Sequence, residues 1–96
     1  MNTNDLFRLD GRVALVTGGA GIYGIHISRA LAEAGAHVVI ASRNLDQCQK
    51  VAGELTAEGL KVSSAVLDLG SSDSIQALCD GIVSEFGKLD ILFNNA

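Results

Sequence analysis

Hydrophobic residues fall along this chain in two alternating rhythms: short unbroken runs, and longer stretches with apolar positions three or four apart. Arg12 to Thr17 reads Arg-Val-Ala-Leu-Val-Thr and ends at a glycine cluster, as expected of a strand buried on both faces. His37 to Ala41 repeats that pattern, Lys61 to Leu67 is a more polar version suited to a sheet edge, and Leu89 to Phe93 is a fourth run. Between the first two, Ile25, Ile27 and Leu31 alternate with Ser28, Arg29 and Glu33, which predicts a helix over residues 22 to 34 closed by Gly35. Leu45, Cys48, Val51, Ala52 and Leu55 predict a second helix, capped by Asn44 and stopped at Gly59. Ile75, Leu78, Cys79, Ile82, Val83 and Phe86 predict a third, capped by Ser71 or Ser72 and ended by Gly87.

The resulting order is β-α-β-α-β-α-β, with helices long enough to cross over between parallel strands. Right-handed crossovers make this an α/β fold with a Rossmann-type doubly wound parallel sheet, of which the chain holds the first half in strand order 3-2-1-4. Residues 1–96 are read as the amino-terminal part of one dinucleotide-binding domain. Strand four is then an open apolar edge of a kind that intact proteins avoid, so the natural frame is expected to continue past Ala96. The isolated chain is expected to self-associate, and the protein to be a homo-oligomer.

Composition narrows the function classes. At 96 residues there is room for one folding unit and none for a separate substrate domain. The chain is 48% hydrophobic but only 4% aromatic, with 11 glycines and neither Pro nor Trp, a mixture suited to buried parallel strands packed by helices. A net charge of -4 with 7 scattered Lys and Arg offers no basic face for nucleic acid. Met1 to Asp10 is polar, and no apolar run reaches the length of a signal core or membrane span, so a cytoplasmic protein is expected. Cys48 and Cys79 stand far apart without a second Cys or His at ligand spacing. They are expected to pack as small hydrophobes, and no metal site is predicted.

Thr17-Gly-Gly-Ala-Gly-Ile-Tyr-Gly24 lies between the first strand and the first helix. Glycines there let the chain turn tightly, let amides approach a pyrophosphate and aim the positive end of the helix at it. A flexible turn is the plainer alternative, but a second strand ending roughly twenty residues on completes the dinucleotide pattern. No Lys-Ser or Lys-Thr pair follows the glycines, which disfavours a Walker-type loop. A methyltransferase is the serious rival, yet it usually ends strand two on an acidic residue that holds ribose hydroxyls. Ser42 and Arg43 occupy that place, and Ser beside Arg favours the 2′-phosphate of NADP over NAD. Otherwise Arg43 is a solvated charge at a helix start.

Thr17 to Gly24, Asp68-Leu69 and Phe93-Asn-Asn-Ala96 together resemble the short-chain dehydrogenase/reductase family over nearly the whole chain. That resemblance implies that Gly18, Ala20, Gly21, Ile22, Tyr23 and Gly24 border the pyrophosphate and nicotinamide side. It further implies Ser42 and Arg43 at the 2′-phosphate, Asp68 and Leu69 at the adenine, and Asn95 near the adenosine ribose. Asp68 has capping before Ser71 as its alternative. The glycine spacing 18, 21, 24 matches the extended branch of the family, whereas Asn94-Asn95 fits the shorter branch. Catalysis in the family uses a Ser and a Tyr-x-x-x-Lys, in which Lys lowers the tyrosine pKa. These 96 residues supply no such set, since the only Tyr is Tyr23. His26 and His37 are expected to be structural or exposed.

The implied function is the cofactor-binding part of an NADP-dependent oxidoreductase acting on a small-molecule alcohol or carbonyl, with no catalytic residue in this chain. A non-catalytic nucleotide-sensing or interaction module of the same fold is the alternative.

Overall fold

A computed structural model describes residues 9–18, 22–67 and 72–94. Among these the elements are β1 (Val13–Thr17), α1 (Ile22–Glu33), β2 (His37–Ser42), α2 (Leu45–Ala57), β3 (Val62–Val66), α3 (Ser72–Phe86) and β4 (Ile91–Asn94). The four strands form one parallel sheet in the order β3-β2-β1-β4, as the sequence predicts. Each observed boundary lies within two residues of its predicted place. Ser71 falls outside the described residues, and α3 begins at Ser72.

Every residue of β1 is buried, and β2 is buried except at its two ends. Strands with helices on both faces have no solvated side, which is why these read as continuous apolar runs. Alternate residues supply two cores. Ala14, Val16, Val38 and Ile40 meet α1 and α2 through Ala32, Cys48, Val51, Ala52 and Leu55. Val13, Leu15, Val39 and Ala41 meet α3 through Ile82, with Leu78, Cys79 and Phe86 packed alongside. Two right-handed crossovers toward β3 put α1 and α2 on one face; the third, running back past β1 to β4, puts α3 on the other. Fully burying a side chain such as Leu15, Ile40 or Leu55 contributes roughly 1.5–3 kcal/mol before ordering costs.

The side of α1 that meets the sheet differs from the expected one. Its buried positions are Gly24, Ser28 and Ala32, one turn apart, whereas Ile25, Ile27 and Leu31 are only partly covered. Ser28 was expected on the polar side and is instead fully buried. Small residues let the helix lie close to the strands, and the larger aliphatic side chains then flank the contact. Val83 departs in the opposite sense, standing 47% exposed on α3.

Helix α2 starts as predicted, with Asn44 Oδ1 accepting the Gln47 amide at 3.1 Å. Such a cap contributes about 1 kcal/mol. Helix α1 stops at Gly35, whose φ of +108° is left-handed and where an added Cβ would run into the Asp10 carboxylate.

Strand β4 begins at Ile91 because Asp90 is used otherwise. Its main-chain N–H donates to the Val13 carbonyl at 2.9 Å, and its carboxylate accepts the Val13 N–H at 2.8 Å. Lys88 and Arg12 lie 3.6 and 3.5 Å from that carboxylate. The Val13 N–H, then the two cations, hold the Asp90 carboxyl below its ordinary pKa.

His26 is exposed on α1, and His37 is half-buried at the start of β2. The His37 ring lies against Phe86 with centroids 4.3 Å apart, and Nε2 is 2.9 Å from Ser63 Oγ. It therefore helps to seat the end of α3 on the sheet.

Two outcomes are expected from these contacts. Burial, assisted by Lys61 and opposed by Glu85, holds the His37 pKa below its usual 6.5. The folded state thus binds its proton less readily than the unfolded chain. Stability is full above the unfolded pKa and falls as pH drops through the folded value. Urea midpoints of the wild type should fall on acidification more than those of His37→Phe, and parallel trends would contradict this.

The second outcome concerns β4, an outer strand on which Leu92 is 59% and Phe93 40% exposed. The 96-residue chain should self-associate in analytical ultracentrifugation, whereas a monodisperse monomer at high concentration would contradict pairing through this edge.

Candidate functional site

Strand β1 delivers the chain to Gly18, whose N–H donates to the Ala41 carbonyl at 2.7 Å. The chain is thus held to β2 one residue beyond the strand. At Gly18 it turns with φ +69°, a left-handed geometry that costs an ordinary L residue roughly 1 kcal/mol or more. Helix α1 begins four positions later at Ile22, so its amino end stands over the carboxyl end of β1. The first amides of a helix have no partner within it and carry its positive pole. No acidic residue occupies the first turn of α1 to compete with an incoming anion. Ile22 and Tyr23 form that turn, and Gly24 follows, buried.

Beside this turn the carboxyl end of β2 carries Ser42 and Arg43. Ser42 is held in four ways: its carbonyl accepts the Leu67 N–H at 2.9 Å, its Oγ accepts the Asn44 N–H at 3.1 Å and lies 3.3 Å from the Asn44 carbonyl, and the same Oγ lies 3.1 Å from Cys48 Sγ. Arg43 projects from the turn, exposed, with no hydrogen bond or ion pair to any described residue. A guanidinium so placed is free to take a phosphate in two-pronged fashion.

Strand β4 lies against β1 on the side away from β2, with Thr17 in register with Asn94. The buried Thr17 donates its hydroxyl to the Phe93 carbonyl at 3.4 Å. Between β1 and β4 the sheet reverses its direction of winding, and such a reversal opens a crevice at the carboxyl ends of the strands. Gly18, Gly24, Ser42 and Arg43 thus gather at one end of the sheet. Ala20, Gly21, Asp68, Leu69 and Asn95 fall outside the described residues.

Sequence reasoning missed several supports of this site. Thr17 was read as a strand end and the start of the glycine motif but not as a tie to β4, Asp90 only as part of a strand, and Cys48 only as core. Small residues one turn apart at Gly24, Ser28 and Ala32 are the signal that could have revealed the close seating of α1. Among the described residues no group of three His, Cys, Asp or Glu is placed to hold a metal, and no helix is long and apolar enough to cross a membrane.

A parallel sheet wound on both faces, with a glycine turn and a helix amino end at its switch point, defines a Rossmann-type nucleotide-binding fold. Residues 12–96 match the family model for short chain dehydrogenases, and the chain belongs to that family. It is 40% identical over 96 residues to gluconate 5-dehydrogenase of Gluconobacter oxydans (strain 621H), covering all of this chain and 38% of that protein. The crystal structure of hydroxysteroid dehydrogenase from Escherichia coli superposes with a TM-score of 0.92 at 38% identity, over 100% of this chain and 40% of that one. A gluconate 5-dehydrogenase from Burkholderia cenocepacia J2315, solved in complex with NADP and tartrate, gives a TM-score of 0.88 at 40% identity. That match covers 99% of this chain and 37% of the other. The chain therefore spans about two fifths of the length of these relatives.

Gly18 supplies the sharpest single-residue expectation. Gly18→Ala should cost about 1 kcal/mol in chemical denaturation, because the left-handed turn is strained for alanine. Unchanged stability would show that the turn is not as described.

Proposed function

We propose that residues 1–96 form the amino-terminal, cofactor-binding part of one dinucleotide-binding domain in an NADP-dependent oxidoreductase acting on a small-molecule alcohol or carbonyl. The observation that carries this reading is Arg43, an exposed cation without a partner among the described residues, beside a helix amino end that has no acidic residue in its first turn. The family and the NADP complex of the Burkholderia relative support it.

In this reading the amides around Gly18 and the first turn of α1 bind the diphosphate, with Ala20, Gly21, Ile22, Tyr23 and Gly24 bordering it. Arg43 and Ser42 take the 2′-phosphate, which an acidic residue at the same place would repel. Asp68 accepts from the adenine amino group, Leu69 packs on its ring, and Asn95 lies near the adenosine ribose. The bound nicotinamide supplies hydride chemistry; these residues bind and orient it. Proton exchange with the substrate falls to residues outside this chain, since Tyr23 is its only tyrosine and no lysine stands four positions beyond it.

NADPH, NADH and S-adenosylmethionine are to be titrated against the full-length protein. NADPH should bind about tenfold tighter than NADH or better, the scale of one hydrogen bond to a charged group. Arg43→Gln should remove most of that margin. The 96 residues alone should give negligible dehydrogenase turnover. Preference for S-adenosylmethionine, or a margin indifferent to Arg43, would overturn the reading.

A further inference from the structure

We infer that Cys48 is a positioning residue for cofactor choice, acting through the Ser42 hydroxyl. The inference rests on the NADP reading above and goes beyond it. Cys48 is fully buried one turn into α2, and its N–H donates to the Asn44 carbonyl at 3.2 Å. That bond fixes its Cβ beneath the β2–α2 turn, and Sγ comes within 3.1 Å of Ser42 Oγ.

A serine hydroxyl has one proton to donate and two lone pairs to fill. The Asn44 N–H, at 3.1 Å, fills the first lone pair of Ser42 Oγ. Cys48 Sγ, at 3.1 Å, faces the second; either atom can be the donor in this contact, and when the thiol donates it fills that lone pair. In that arrangement both lone pairs are occupied, and the Ser42 proton is donated away from Cys48. Among the described residues the acceptor offered is the Asn44 carbonyl, at a long 3.3 Å and already taking the Cys48 N–H. A phosphate oxygen arriving beside Arg43 is a much stronger acceptor. The buried thiol thus keeps Ser42 turned out as a donor, which favours an anion at this rim over a ribose hydroxyl.

The test compares dissociation constants of NADPH and NADH for the full-length wild type, Cys48→Ala, Cys48→Ser and Arg43→Gln. Cys48→Ala should weaken NADPH by about three- to tenfold, the range of one ordinary hydrogen bond, and leave NADH unchanged. Cys48→Ser keeps a donor at the same place and should restore the wild-type ratio. A merely structural role would weaken both nucleotides together in Cys48→Ala, and that result would overturn the inference. So would a wild-type ratio in Cys48→Ala alongside a collapsed ratio in Arg43→Gln, which leaves the NADP reading intact. A wild type that binds the two nucleotides equally would remove that reading and the inference with it.

Discussion

A parallel strand pair is closed by a helix that must come back across the sheet, and the distance at which that helix lies decides where its ends point. In this chain the first crossover is seated on Gly24, Ser28 and Ala32, three small residues a turn apart that let α1 lie close to the strands. Ile25 and Leu31 cover the flanks of the contact, packing against the same core as Val16, Val38 and Ile40. Because α1 lies close, its amino end meets the end of β1 across the short stretch between Gly18 and Ile22. A helix pole and a strand end brought together in this way put the first amides of α1, which have no partner within the helix, at the carboxyl end of the sheet.

The opposite crossover matters as much. If α3 lay on the same face as α1, the carboxyl ends of β1 and β4 would be roofed by helices on one side alone, and no crevice would open between them. Asp90 and Thr17 fix the two ends of that strand pair. Asp90 grips Val13 through both its main chain and its carboxylate, and Thr17 ties to the Phe93 carbonyl at the end nearer the site. The register of β4 on β1 is thereby set from both ends, and with it the position of Asn94 beside the glycine turn.

Element order and strand order could be read from the residues alone, because each rests on a strong local signal. Continuous apolar runs mark strands covered on both faces, Asn44 marks a cap, and glycines with positive φ stop the helices. What escaped depends on contacts between residues distant in the chain. Ser28 looks like a surface residue until the closeness of α1 is known, and Val83 looks like core although α3 leaves it half-uncovered. Asp90 looks like an interruption in a strand and is the clamp that starts it. The pairing of Ser42 with Cys48 joins the end of a strand to the first turn of the following helix, and no periodicity signals it. Ser42 and Arg43 stood out in the sequence as a candidate phosphate pair, whereas the network that holds Ser42 did not.

The most direct measurement is an amide NMR titration of the full-length protein with ADP, which carries a diphosphate but no 2′-phosphate, set against adenosine, which carries neither. ADP should shift Gly18 and the first-turn amides of α1, and adenosine should leave them in place. Shifts of equal size with both, or shifts confined to exposed lysines such as Lys61 and Lys88, would contradict a diphosphate seat at the mouth of α1.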